Sequence, residues 1–295
     1  MTATLTPEIA AGSPERVLTQ AEQDFLFDVF GYRIIRGALS AEELRAINAF
    51  ADQHDTPDRK AGDWIGDVET HTYGKKDGLN FQNIIEGGPV FEKLIDHPSW
   101  IEQVKRYILT EEHSMRIDEC FLNLRNRGGF IPVHSGGAST RVTAAFRSHT
   151  GAWAVGQINI LMALRDIGPG DGPTTVVPGS HKSGMDHPNK DWDAGVGAHE
   201  AVAMQEVYLK AGDALMFTDG ICHGSMPRTN PGQRRVLIYR YTPHLVASRF
   251  NYVPSEELMA RLTPVQRQLV MPVAPRMRPG RVLESDTFPH DAVGG

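Results

Sequence analysis

Cysteine is scarce in this 295-residue chain, with Cys120 and Cys222 its only two. Two thiols build no disulfide scaffold, and such sparing use suits a reducing cytoplasm. Long apolar runs are missing as well: the longest, near Ile158 to Leu164, falls far short of the roughly 20 residues that cross a bilayer. The stretch Met1-Thr2-Ala3-Thr4-Leu5 lacks the basic and apolar blocks of a secretion signal. Positive charge is not in excess, since 30 Lys and Arg face 36 Asp and Glu for a net charge of −6. That balance argues against a nucleic-acid polymer or a membrane surface as partner, and any basic site must be local. What is present is an ordinary globular composition, 40% apolar and 22% charged, in a chain long enough to bury a substantial core.

Residues 1–18 are small, polar and Pro-containing and read as a loose arm. Thr19 then caps an amphipathic helix over Ala21–Phe30, which Gly31 stops. A strand, Tyr32–Gly37, follows, and Ser40-Ala41-Glu42-Glu43 opens a second helix with a capping box. Residues 52–88 are polar and Gly-rich, include Asp63-Trp64-Ile65-Gly66 and Tyr73-Gly74-Lys75-Lys76, and read as a long functional loop or lid. A helix is expected from Pro89 to Tyr107. Beyond it the pattern is β, with strands predicted at Met115–Leu124, Phe130–His134, Gly156–Leu164, Thr174–Val177, Ala201–Val207, Ala214–Phe217 and Arg234–Tyr241. Short strands at this spacing after a helical start predict a mainly β fold, a double-sheet jelly roll with flanking helices. Ser255–Leu269 reads as helix and 271–295 as a Pro-rich surface tail.

Three features carry the chemistry. His134 ends an apolar strand, His223 sits in Asp219-Gly220-Ile221-Cys222-His223-Gly224-Ser225, and Arg234 opens another apolar strand. Neutral imidazole suits Fe(II), and two histidines with one carboxylate form the common facial set of non-haem iron oxygenases. An arginine fork nearby suits the distal end of a dicarboxylate. The carboxylate is what is missing: none of the 12 histidines is followed two residues later by Asp or Glu, and after His134 that position is Gly136. A histidine followed two later by glycine is by itself a weak signal, because His149-Thr150-Gly151 matches it equally well.

The order of flanking residues adds weight. Thr19–Phe50, Leu164-Arg165-Asp166 through Gly170-Asp171-Gly172-Pro173 to Val177-Pro178-Gly179-Ser180-His181-Lys182, and Gly212-Asp213-Ala214-Leu215-Met216-Phe217 leading to His223-Gly224-Ser225 resemble the phytanoyl-CoA dioxygenase superfamily over roughly 19–250. The resemblance implies a cupin-like double-stranded β-helix that uses Fe(II), 2-oxoglutarate and O2, with an oxygenase domain over 19–270. It places His134 and His223 on the iron, Arg234 on the distal carboxylate of 2-oxoglutarate and Ser225 beside it. The family's aspartate falls on Gly136. Its loss resembles the halogenase-like subset, in which chloride takes the vacant ligand position. Counting agrees: two imidazoles and bidentate 2-oxoglutarate leave two of six positions, one for O2 and one for an anion that restores the lost charge. Length and the His-Ser-Gly-Gly sequence are also similar to enzymes that chlorinate the sugar of a purine nucleotide such as dAMP.

Two other readings of Gly136 stay open. Another carboxylate, Asp118 or Glu119, would restore a hydroxylase of small natural products, and loss of the metal would leave a non-catalytic descendant. Asn123 and Gln157, on strands, are candidates to hydrogen-bond 2-oxoglutarate, although alternation lets either point away. Trp153, His149, Arg141 and Phe146 are candidates to face a small-molecule substrate. Lys75, Lys76, Arg141, Arg147 and Arg228 lie in loops expected around the mouth, where they would suit an anionic group. His181 is expected to serve a structural hydrogen bond, and Cys222 to pack inertly on the far side of its strand.

Overall fold

The computed structural model describes residues 18–72, 78–109, 114–190, 201–248 and 252–271. The predicted arm up to residue 17, Tyr73-Gly74-Lys75-Lys76 and the tail from 272 lie outside them. The N-terminal signals behave as read. Helix α1 (Gln20–Phe30) carries a full capping box on Thr19 and ends on Gly31 in the left-handed region. Strand β1 (Tyr32–Ile35) follows, and α2 (Ala41–His54) starts from the Ser40–Glu43 capping box.

The stretch read as a loop or lid contributes three short strands to a sheet. Strands β2 (Trp64–Ile65), β3 (Val68–His71) and β4 (Leu79–Gln82) join one another in antiparallel register. Their polar composition hid them. Asn80 and Gln82 are buried on the face turned toward a polar interior, so the usual apolar alternation is absent. The helix expected over Pro89–Tyr107 is instead two: α3 (Pro89–Glu92) and α4 (Ile101–Ile108). Pro98 lies in the break and biases His97 away from helix.

The remaining strands are β5 (Met115–Arg125), β6 (Ile131–His134), β7 (Ile158–Ala163), β8 (Thr174–Val176), β9 (Gln205–Val207), β10 (Ala214–Thr218), β11 (His223–Ser225) and β12 (Arg234–Pro243). The C-terminal helix also divides, into α5 (Glu256–Arg261) and α6 (Pro264–Val270), because Thr263 caps a new helix with Pro264 in its first turn.

The strands form two antiparallel sheets, the jelly roll expected from the sequence. The larger runs β1-β10-β7-β12-β5-β4-β3-β2 and the smaller β6-β11-β8-β9. Helices cover the outer face of the large sheet, where Phe27, Ile47, Trp100 and Leu237 share one core; a second core, with Leu161, Val176, Phe217 and Val236, lies between the sheets. Alternation along β12 sorts its side chains. Tyr239 and Tyr241 point outward and donate to the Phe91 and Ile95 carbonyls at 2.7 and 2.8 Å. Arg234, Ile238 and Arg240 point inward and line a cavity between the sheets. Among the described residues no helix is long and apolar enough to cross a membrane.

Candidate metal and co-substrate site

Strands β6 and β11 are neighbours, and their register sets His134 directly opposite His223. The two rings lie 4.0 Å apart, centroid to centroid. Each ring is oriented by its own backbone: Nδ1–H of His134 donates to the Pro132 carbonyl at 2.9 Å, and that of His223 to the Ile221 carbonyl at 2.8 Å. With Nδ1 committed as donor, Nε2 is the unprotonated nitrogen of each neutral ring. Burial holds the His134 imidazole well below its ordinary pKa, and the adjacent His223 pushes the same way. A neutral imidazole is the form that a metal binds.

Among the described residues, no group of three His, Cys, Asp or Glu side chains is arranged to hold a metal ion. The carboxylates considered as substitutes are engaged elsewhere. The β5–β12 register skips Asp118 at a bulge, and its Oδ2 accepts from the Ser248 hydroxyl at 2.7 Å. Glu119 accepts from Arg240 at 2.6 Å and from Gln82 at 3.0 Å. Gly136 has φ +121°, a region that side-chain-bearing residues avoid, and a Cβ built there would lie 2.8 Å from Cys222 Sγ. The turn is therefore shaped for glycine.

The cavity holds about 490 Å³, within the range of small-molecule sites. Apolar walls come from Phe121, Val133, Leu161, Phe217 and Ile238, while five cations and no Asp or Glu line it. Arg234 is 3% exposed and donates to Thr174 Oγ1 at 3.0 Å, and its buried Nε finds no acceptor among the described residues. Ser225 and Asn123 line the same cavity, with Asn123 donating to Asn80 at 2.8 Å. An orphaned buried donor among further donors fits an anionic carboxylate, and the histidine pair fits a divalent metal, so Fe(II) with 2-oxoglutarate suits the residues present. Arg235 points the other way, toward Asp52 at 2.6 Å.

The other candidates scatter. Gln157 precedes β7, off the cavity lining, and donates to Asn159 at 2.8 Å and Asp219 at 3.2 Å. Trp153 and Phe146 pack with Phe27 in an aromatic cluster capped by Arg147, whose guanidinium lies 3.4 Å over Trp153. Neither lines the cavity that holds the histidines, and His149 is exposed beside them. Of that group only Arg141 reaches the cavity. Arg228 is no mouth cation: it is buried and bonded to the Asp171, Pro231 and Gly232 carbonyls. Sequence reading missed Arg125, Asn80, Thr174 and Lys190, all lining residues. Only Arg125 carried a signal, standing two residues after Asn123 on the same strand face.

His181 is structural, as expected. Its Nε2–H donates to the Asp28 carbonyl at 3.0 Å, its ring packs on Phe146, and its Nδ1 is buried without a partner. Burial pushes its pKa down to about 4. Between that value and about 6.5 the unfolded chain binds the extra proton, so stability falls as pH drops through this window. Denaturant titrations from pH 7 to pH 4 should show His181 contributing up to about 3 kcal/mol of acid destabilisation. His181→Gln should flatten that slope, and equal slopes in both proteins would refute the assignment.

Cys222, with Val133, forms a small apolar cluster behind the turn. The fold has solved counterparts. HygX of Streptomyces hygroscopicus, with nickel and 2-oxoglutarate bound, matches 78% of this chain and 89% of its own at 20% identity and a TM-score of 0.63. The 2-oxoglutarate-dependent epimerase SnoN from nogalamycin biosynthesis matches 78% of this chain and 87% of its own at 17% identity and a TM-score of 0.54. In sequence, dioxygenase cdmD of Talaromyces verruculosus is 29% identical over 114 residues, 38% of this chain and 35% of that enzyme. The aligned part thus spans about a third of that relative's length. The family model for phytanoyl-CoA dioxygenase (PhyH) matches residues 27–236, across both sheets and all three chemistry-bearing positions, and the chain belongs to that family.

Proposed function

We propose that this protein is an Fe(II)- and 2-oxoglutarate-dependent oxidoreductase that halogenates an unactivated carbon of a small molecule. One observation carries the reading: two imidazoles face each other across β6 and β11, and the position two residues after His134 is a glycine whose backbone, at φ +121°, disfavours any side chain. In this reading His134 and His223 hold the iron, Arg234 and Ser225 hold the distal carboxylate of 2-oxoglutarate, and Asn123 borders it. Gly136 leaves a position for chloride. Bound together with O2, these groups would supply oxidative decarboxylation coupled to carbon–hydrogen cleavage and carbon–halogen bond formation. The chain's own part is to bind, orient and exclude water. The apolar walls keep the site dry, and the cavity must hold the target carbon nearer the halide than any hydroxyl.

A purine nucleotide such as dAMP is the proposed substrate. Arg141 and Lys190, at the more exposed side of the cavity, would meet its phosphate. Natural-product chemistry in general is supported by structural neighbours crystallised with hygromycin B and with nogalamycin RO. Hydroxylation or epimerisation is the second reading, favoured by the dioxygenase and epimerase names of those relatives.

The test is product mass. With Fe(II), 2-oxoglutarate, O2, dAMP and chloride, succinate should form together with a chlorinated product, and bromide in place of chloride should give the brominated one. A product carrying only added oxygen would favour the second reading. No succinate with any nucleotide, amino acid or aminoglycoside would return the protein to a non-catalytic role.

A further inference from the structure

The floor of the cavity holds two buried arginines where one would suffice. Arg125 ends β5 and Arg234 opens β12, and the ladder sets them directly opposite each other. They are 1% and 3% exposed, and both line the cavity. Like charges at facing positions of a sheet destabilise it. Burial above all, and then Arg125, hold the Arg234 guanidinium below its ordinary pKa. Nearby Arg228 adds to that field but is committed to Asp171 and to backbone carbonyls.

Their surroundings are arranged to donate. Ser225 Oγ accepts from Arg125 Nη1 at 2.6 Å and from the Ile131 N–H at 2.9 Å. Both lone pairs are then filled, and the Ser225 O–H is left to donate into the cavity. Arg234 adds its unmatched Nε–H from the facing strand. Two guanidiniums and one hydroxyl converge, with no carboxylate in the lining.

We infer that Arg125 is a second guanidinium for the distal carboxylate of 2-oxoglutarate, sharing that anion with Arg234 and orienting Ser225 toward it. This rests on the proposed 2-oxoglutarate dependence. The arrangement gives each carboxylate oxygen its own arginine, and the anion would offset the like-charge contact. Arg125 is a positioning and binding residue here, so its effect belongs to affinity for the distal carboxylate and to discrimination between 2-oxoacids.

The experiment is anaerobic calorimetric titration of Fe(II)-loaded protein with 2-oxoglutarate and, separately, with 2-oxobutyrate, which lacks the distal carboxylate. Arg125→Gln should weaken 2-oxoglutarate binding on the order of 10- to 100-fold while leaving 2-oxobutyrate binding unchanged. Arg125→Lys should retain part of the preference as a point charge without the fork. Without ligand, Arg125→Gln should melt no lower than the wild type, since it relieves a buried repulsion. Arg235→Gln, on the outer face, should bind both ligands normally. Unchanged 2-oxoglutarate affinity in Arg125→Gln would overturn the inference, as would equal loss of both ligands with a lowered melting temperature. If Arg125→Gln fails to fold, Arg125→Lys carries the same two-ligand comparison. Wild-type protein that binds Fe(II) but neither 2-oxoacid would instead sink the co-substrate reading itself.

Discussion

His134→Ala and His223→Ala are each expected to abolish the weak visible charge-transfer band that Fe(II) and 2-oxoglutarate give in anaerobic protein. The reason is the small number of protein ligands. Where three side chains grip a metal, the loss of one leaves two; here two are proposed, and either loss leaves a single imidazole. Loss of an outer-sphere partner typically costs 10- to 100-fold in metal affinity or activity, and a direct ligand in a two-ligand site should cost more than about 100-fold. The orienting hydrogen bonds come from the Pro132 and Ile221 carbonyls, so each ring is set by its own strand and the loss of one leaves the other in place. Iron content measured after gel filtration gives an independent readout. A band and iron content unchanged by both substitutions would remove His134 and His223 from the metal.

Gly136→Asp is expected to end halide incorporation without producing a working hydroxylase. Aspartate would restore the sequence pattern, but the backbone at φ +121° and the 2.8 Å approach to Cys222 Sγ oppose any side chain there. The strained conformation should cost about 2 kcal/mol, roughly 4–8 °C in melting temperature for a domain of this size. Gly136→Ala separates the two effects. It suffers similar strain but brings no carboxylate, so it should melt lower while still giving halogenated product. A stable Gly136→Asp protein that hydroxylates at the wild-type rate of turnover would show that the turn accepts a ligand. The argument from backbone shape would then be lost.

Much of the frame was legible in the sequence because its signals are local. A capping box and a stopping glycine sit within a few residues of each other, and the structure keeps them at Thr19, Gly31 and Ser40. Apolar runs bounded by Gly and Pro likewise located most strands of the two sheets. Strands β2 to β4 escaped because part of their inward face meets a polar interior, where apolar alternation has no physical basis. Pro98 and Pro264 divide the helices expected over Pro89–Tyr107 and Ser255–Leu269, because apolar periodicity runs on across a proline where the helical backbone cannot.

The site divides along the same line. That no histidine is followed two residues later by an acid is a statement about sequence alone, and so is the pairing of His134 with Gly136. Whether another carboxylate could fill the gap depended on residues far apart in the chain. The bulge at Asp118 and the Arg240–Glu119 pair engage the two carboxylates that the sequence offered. Strand phase put Arg234, not Arg235, into the cavity's lining, and tertiary packing against Phe27 kept Trp153 and Phe146 out of it. Arg125 and Arg234 stand 109 positions apart, and only the register of two antiparallel strands makes them neighbours. Composition and spacing determined which chemical groups this chain possesses. Hydrogen-bonded register, which acts across the fold and leaves no local trace, decided which of them meet.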